Sequence, residues 1–305
     1  MDTSNIALRT TLVAALALAA ALAAALPSTA DAHGSHRAWS AGTNLDSLQL
    51  GDGRVSTSTA RRGSVYSCSS TNLSRTPFRP WVSGSTWSWV DKPKVAGLVR
   101  WSGGGVRIRR SGSYRYITGN GLPRHATGSF PIGSSDPAGR YDRNPNSIGT
   151  TSIDLRLPAS PRRASSPGCL PMGPIGVMTS GVALFNALDA EGHDAPATEM
   201  QDRCSGHPEQ RGTYHYHSLP NCISSGKAGQ HSKVIGWALD GYPITGPRGA
   251  NGVTMTNARL DACHGHTHAL VIDGKRVVTY HYHATMQYPY TLGCFHGTSV
   301  FAGRR

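Results

Sequence analysis

Between Thr86 and Ile117 apolar and polar positions alternate: Trp87 and Trp89, Val106 and Ile108, and Tyr114 and Tyr116 recur at every second residue, with Arg107 and Arg109 between them. A period of two places successive side chains on opposite faces of a strand. The stretch therefore predicts antiparallel strands joined by glycine-rich turns such as Ser102 to Gly105. Residues 33 to about 85 are rich in Ser, Gly, Thr and Arg and lack this periodicity, which reads as a loosely ordered arm or irregular strands. Prolines 158, 161, 167, 171 and 174 mark a connector into the last third.

One long apolar run, Leu12 to Leu26, follows Arg9 and ends at Pro27, with the small residues Ala30 and Ala32 beyond it. That is the layout of a signal peptide, here residues 1 to 32, with a cut after Ala30 as the competing site. A secreted or extracytoplasmic protein is expected, in the cell envelope or outside it. No later stretch approaches the ~18 to 20 apolar residues of a membrane span.

Composition narrows the fold class. Charged residues make up 15%, well below the roughly 25% of an average domain, while 36 Gly and 19 Pro punctuate the chain. A coiled coil or helical bundle is excluded, and short strands with many turns are favoured. Thirty basic residues against 17 acidic give a net charge of +13. An anionic partner, such as a cell-envelope polymer, fits that balance, whereas export argues against nucleic acid. Arg107, Arg109, Arg110 and Arg115 beside Trp101 and Tyr114 read either as a basic, aromatic face or as a solvated strand face.

The strongest signal is an internal repeat. Asp202-Arg203-Cys204-Ser205-Gly206-His207 is followed by Thr213-Tyr214-His215-Tyr216-His217 and Cys222. Further on, Asp261-Ala262-Cys263-His264-Gly265-His266 is followed by Thr279-Tyr280-His281-Tyr282-His283 and Cys294. The order predicts a duplicated β unit about a pseudo-twofold axis, with halves at about 180 to 222 and 240 to 294. The six cysteines, an even number in an exported chain, point to disulfides. Spacing alone leaves their pairing open. The repeat favours Cys204 with Cys222 and Cys263 with Cys294, which leaves Cys68 with Cys169. The fold expected is thus a mainly β, disulfide-bonded antiparallel domain.

In Tyr-His-Tyr-His the tyrosines face one way and the histidines the other. Two imidazoles on one face can share a metal, and His207 and His266 are candidates for a third ligand in each half. Three nitrogens would leave a position open for water or substrate; alternatively the four strand histidines meet across the pseudo-dyad. Imidazole suits copper and zinc alike. His264 and His268 thicken the second cluster, His296 is a possible addition, and His193 and His231 fall in apparent loops and read as surface residues. Asp202 and Asp261 are placed to accept the outer N–H of metal-bound imidazoles. Glu199 and Asp240 are the candidate general bases toward a metal-bound water.

At these residues the chain resembles the YHYH domain family. The resemblance is carried by Asn120 to Gly128, Tyr141 to Asn146, Leu184 to Asp189, Cys204 to His207, both Tyr-His-Tyr-His elements, Trp237 to Gly241 and Gly293 to Phe295. The resemblance runs from about Asn120 to Gly297; it implies an exported protein, draws residues 120 to 146 into a YHYH domain taken here as residues 86 to 305, and brings His125 in as a further metal candidate. Ser180 stands where an Asn is expected before Gly181. The function expected is metal binding, with a metal-dependent hydrolase or oxidase, or a structural envelope module, as the alternatives. A multicopper oxidase is disfavoured by the lack of a His-Cys-His element.

Overall fold

The structure, a computed structural model, describes residues 42–71, 73 and 76–300. The expected signal peptide, residues 1 to 32, lies outside them. With 34% strand and 5% helix the protein is mainly β, as the alternation and the turn-rich composition predict. Among the described residues no helix is long and apolar enough to cross a membrane.

The N-terminal part contains five two-residue strands: β1 (Leu48–Gln49), β2 (Val55–Ser56), β3 (Val65–Tyr66), β4 (Val82–Ser83) and β5 (Thr86–Trp87). Residues 42–85, read from composition as part of an arm, contribute Leu48, Leu50, Val65 and Trp81 to the core. The Trp81 indole donates to the Ala197 carbonyl at 2.8 Å. Next, β6 (Val106–Ser111) and β7 (Tyr114–Gly119) form a hairpin, and β7 pairs with β8 (Ile153–Pro158). The hairpin turns at Gly112 with φ +56°, whereas Ser102 to Gly105 only leads into β6.

In β7 the faces are the reverse of a simple apolar reading. Arg115 and Ile117 are buried, while Tyr114 faces out. Arg115 thus leaves the basic face to which the sequence assigned it. Its guanidinium lies 3.7 Å from the centre of the Trp237 ring and forks onto Asp273 at 3.0 and 2.8 Å. A planar, delocalised cation tolerates this stacked site as an ammonium would not.

The last third builds one eight-stranded sheet from β10 (Pro174–Met178), β11 (Ala183–Phe185), β12 (Gly206–Pro208), β13 (Tyr214–Tyr216), β14 (Val234–Ala238), β15 (Pro243–Thr245), β16 (Gly265–Ile272) and β17 (Lys275–His283). Its order is β12-β13-β11-β10-β14-β15-β17-β16. The antiparallel pair β10 and β14 lies at the middle. From it each side adds the same series: an antiparallel hairpin partner, β11 or β15, then a parallel strand, β13 or β17, then an antiparallel edge, β12 or β16. Ile175, Val177, Ile235 and Ile244 are buried at the centre, as expected of strands covered on both faces. Before and after this sheet run β9 (Arg163–Gly168) and β18 (Phe295–Gly297), which pair with each other.

Three disulfides join Cys68 to Cys169, Cys204 to Cys222 and Cys263 to Cys294, the pairing the repeat favours. They fit an oxidising compartment.

Asp194 ties the N-terminal strands to the sheet domain. Its carboxylate accepts from the Gly51 N–H at 2.8 Å and the Tyr290 hydroxyl at 2.7 Å. Burial pushes its pKa up to about 7, the neighbouring Asp52 adding to the rise and Lys92 opposing it. A carboxyl raised on folding stabilises most below its unfolded pKa, near 4, and that contribution is lost as pH rises through about 7. Asp194→Asn should therefore flatten the decline of stability between pH 4 and 7. Urea midpoints across that range check it, and an unchanged slope would assign the decline to other groups.

Two candidate metal centres

Each centre starts from a hairpin register. His207 lies directly opposite His215 across β12 and β13, and His266 opposite His281 across β16 and β17. Cross-strand partners share a face, and the two-residue period adds His217 to the first pair and His283 to the second. Each half therefore gathers three imidazoles at its outer end of the sheet, and the two trios do not meet across the middle.

The tyrosine faces explain the rest of the repeat. Tyr214 donates its hydroxyl to Asp202 at 2.9 Å and Tyr280 donates to Asp261 at 2.9 Å. To reach the carboxylate each ring passes over a glycine. A Cβ on Gly206 would lie 2.3 Å from Tyr214, and one on Gly265 would lie 2.3 Å from Tyr280. The same carboxylates accept the N–H groups of Cys204 and Gly206, or of Cys263 and Gly265. Ser205 and His264, equivalent positions just before the glycines, both take positive φ, at 66° and 70°. Asp202 and Asp261 thus fasten tyrosines and loops; neither accepts a proton from an imidazole of the trios, as the sequence reading had them do.

The outer imidazole nitrogens instead find backbone carbonyls. His215 Nδ1 lies 2.9 Å from Thr213 O, and His217 Nδ1 lies 2.5 Å from Asn186 O. The equivalents are His281 Nδ1 to Thr279 O at 3.2 Å and His283 Nδ1 to Gly246 O at 2.7 Å. A carbonyl only accepts, so each Nδ1 carries the hydrogen and each Nε2 keeps its lone pair. Those lone pairs converge. The Nε2 atoms of His215 and His217 are 3.0 Å apart, and those of His281 and His283 are 3.2 Å apart. His266 Nε2 lies 3.1 Å from His281 and 3.0 Å from His283.

A further polar side chain stands beside each trio. Glu199 Oε2 lies 3.3 Å from His207 Nε2 and 3.4 Å from His217 Nε2. Both Oε2 and His207 Nε2 are sealed from solvent without a hydrogen-bond partner, although the Glu199 side chain as a whole is about a quarter exposed, at 27%. In the second centre His231 Nε2 lies 3.2 Å from His281 Nε2. Donors held tetrahedrally at metal–nitrogen distances of about 2.0–2.1 Å lie about 3.3 Å from one another. The separations among His231, His266, His281 and His283 fit, whereas Glu199 borders the first trio at His207 and His217 and stands outside the close group that these form with His215.

Burial dominates the electrostatics. It lowers the pKa of His215 to about 4, of His266 to about 4 and of His281 to about 3, the last two aided by neighbouring imidazoles. His207, His217 and His283 are held well below the ordinary range by burial and then by neighbouring imidazoles, His215 for the first two and His281 for the third. Burial also raises Glu199 well above the carboxylate range. Neutral rings suit metal ligation.

The remaining candidates lie elsewhere. His125 Nε2 meets the Tyr216 hydroxyl at 2.5 Å, on the tyrosine face and away from the trio. Cys204 and Cys222 beside it are bonded to each other, so they offer no thiolate. Ser180 supplies a second partner to Tyr216 at 3.1 Å. Asp240 accepts the Tyr282 hydroxyl at 2.5 Å and the Gly297 N–H at 2.9 Å, and faces no imidazole of the trio. His296 stacks on Tyr280 at 3.6 Å, and His264 meets the Thr285 hydroxyl. The candidate donor that the sequence pattern does not single out is His231, which has no counterpart in the first half.

Residues 154–258 match the family model described as YHYH protein. Over this segment the chain is similar to the YHYH family. The YHYH match contains the whole first centre and His231, while His266, His281, His283 and His125 lie outside it. No curated protein and no solved structure matches significantly.

Proposed function

We propose that this is an exported metal-binding protein in which each YHYH half holds one copper or zinc ion. The observation that carries the reading is the opposition of imidazole lone pairs. His215 faces His217 at 3.0 Å, and His281 faces His283 at 3.2 Å, with every Nδ1 hydrogen already given to a carbonyl. Two buried lone pairs pointing at each other repel unless a cation lies between them. A proton would serve for one pair, but burial holds these rings neutral, and a third imidazole converges on each pair. A metal ion satisfies all of them.

In the second centre four imidazoles supply a tetrahedral shell, the closed arrangement of a binding site. That favours binding over turnover, while the first trio keeps a position that Glu199 borders. Export is supported by the apolar segment Leu12 to Leu26 and by the disulfides. The matched strand series, glycines and positive-φ positions support descent of the two halves from one duplicated unit.

Elemental analysis of the purified full chain tests the reading. Two equivalents of zinc or copper per chain are expected. His215→Ala with His217→Ala should lose one, and His281→Ala with His283→Ala the other, with circular dichroism reporting that the variants fold. Absence of metal from folded protein after supplementation with either ion would overturn it.

A further inference from the structure

The repeat gives both centres the same three imidazoles and the same carbonyl partners, but not the same further side chain or surroundings. Glu199 follows the helical turn Ala195–Thr198 in a stretch fastened on both sides. The Met200 N–H donates to Asp142, the Gln201 carbonyl accepts the Val95 N–H at 3.0 Å, and the Gln201 side chain accepts from buried Lys92 at 2.9 Å. The imidazoles of this centre are about 3% exposed. A divalent ion here has one carboxyl beside it, which gives up its proton as the ion binds and then offsets the cost of burying its charge.

In the second centre all four donors are neutral, so the full charge of the ion is uncompensated. His231 comes from a loop whose preceding residues, Lys227 to Gln230, are exposed, and both His231 and His266 are half-buried. Beyond them lies one more imidazole. His268, two residues on from His266 along β16, is half-buried and stacks parallel to His231, with ring centres 5.4 Å apart, and to His266, at 6.0 Å. Its Nδ1 faces the Ala269 carbonyl at 3.2 Å, which leaves the Nε2 lone pair free. The first centre has nothing equivalent. By alignment of the repeats the counterpart of His268 is Glu209, whose carboxylate is taken up by the Arg211 and Thr213 N–H groups.

We propose that the second centre is an exchange site that loads and releases its ion by way of His268, while the first centre retains its own. This rests on the metal reading above. An ion leaving the trio first loses His231 as the loop moves, and His268 offers a replacement nitrogen at the surface before water completes the shell. Ligand-by-ligand replacement avoids a partly stripped ion in an apolar site, and by reversal it gives a path of entry.

The test is zinc release from the full chain into a chromophoric chelator in excess, with no reductant present. Two equivalents should leave in two phases, the faster by on the order of tenfold or more, the range by which supporting groups shift metal affinity. His281→Ala with His283→Ala should remove the fast phase, and Glu199→Gln should accelerate the slow one. His268→Ala should slow both release and uptake in the fast phase without touching the slow phase. Release of two equivalents in a single phase, or loss of the fast phase in His207→Ala with His215→Ala, would overturn the exchange assignment and leave metal binding intact. Faster release from His268→Ala would make it an ordinary ligand and overturn its role in transfer. Protein that binds no zinc would overturn the metal reading itself.

Discussion

Stripping metal from both centres is expected to lower the thermal midpoint by roughly 10 °C per centre. Binding to the folded chain alone stabilises by about 4 kcal/mol when free ion exceeds the dissociation constant a thousandfold, and for a chain of this size each kcal/mol moves the midpoint by about 2–4 °C. The location of the centres makes such coupling physical. Both lie at the ends of the eight-stranded sheet, where β13 is joined to β11 over two residues of parallel register and β17 to β15 over two more. Without an ion, each edge hairpin keeps the mutual repulsion of buried lone pairs, and the second also loses the donor bridge to His231. Calorimetry in a chelator, against the same protein in excess zinc, reads the change. His215→Ala with His217→Ala should forfeit the share of the first centre and keep that of the second. Identical midpoints in chelator and zinc would mean that the histidines hold the edges without metal.

Much of this arrangement was legible because strand geometry is local. The alternation in Tyr-His-Tyr-His fixes which side chains share a face, and duplication then singles out His207 and His266, each placed opposite a strand histidine by the hairpin register. The glycine and the aspartate of the repeat were also visible, but their task was not. Asp202 reads as a partner for imidazole until the tyrosine ring is seen crossing Gly206 to reach it. The carbonyls of Asn186 and Gly246, which take the outer hydrogens of His217 and His283, leave no mark in side-chain identity at all.

What escaped the sequence came from loops and from the third dimension. His231 is 50 residues from His281 and breaks no pattern, since a loop can deliver a ligand without any period. Glu199 is legible only by its chemistry, as a base, and the fold alone shows that its Oε2 lies 3.3 Å from His207 Nε2. Arg115 looked like one more exposed cation in a basic strand, and only the packing of β7 against Trp237 turns it inward. Residues 42–85 follow the same logic. Their strands are too short to show alternation, yet Trp81 and Val65 are buried, because the sheet domain rather than the local segment supplies the partner surface.

Asp202→Ala should cost about 3–5 kcal/mol, because it leaves several buried donors without an acceptor. The carboxylate is fully buried and accepts from the Tyr214 hydroxyl, the Gly128 N–H at 2.8 Å and the Cys204 N–H at 2.8 Å. Alanine would strand these three donors and the Gly206 N–H, each at about 1–3 kcal/mol, and leave a void beneath the tyrosine ring. Asp261, its equivalent, is 43% exposed, so water can replace it, and Asp261→Ala should cost only about 1 kcal/mol. Because Asp202 fixes the loop that leads into His207, its removal should also weaken metal at the first centre by on the order of 10- to 100-fold and leave the second unaltered. Urea unfolding gives the stabilities, and competition with a chelator of known affinity gives the two binding constants. Equal costs for the two aspartates would show that burial does not set the difference. Equal loss of affinity at both centres would mean that Asp202 supports the sheet as a whole, with no particular hold on His207.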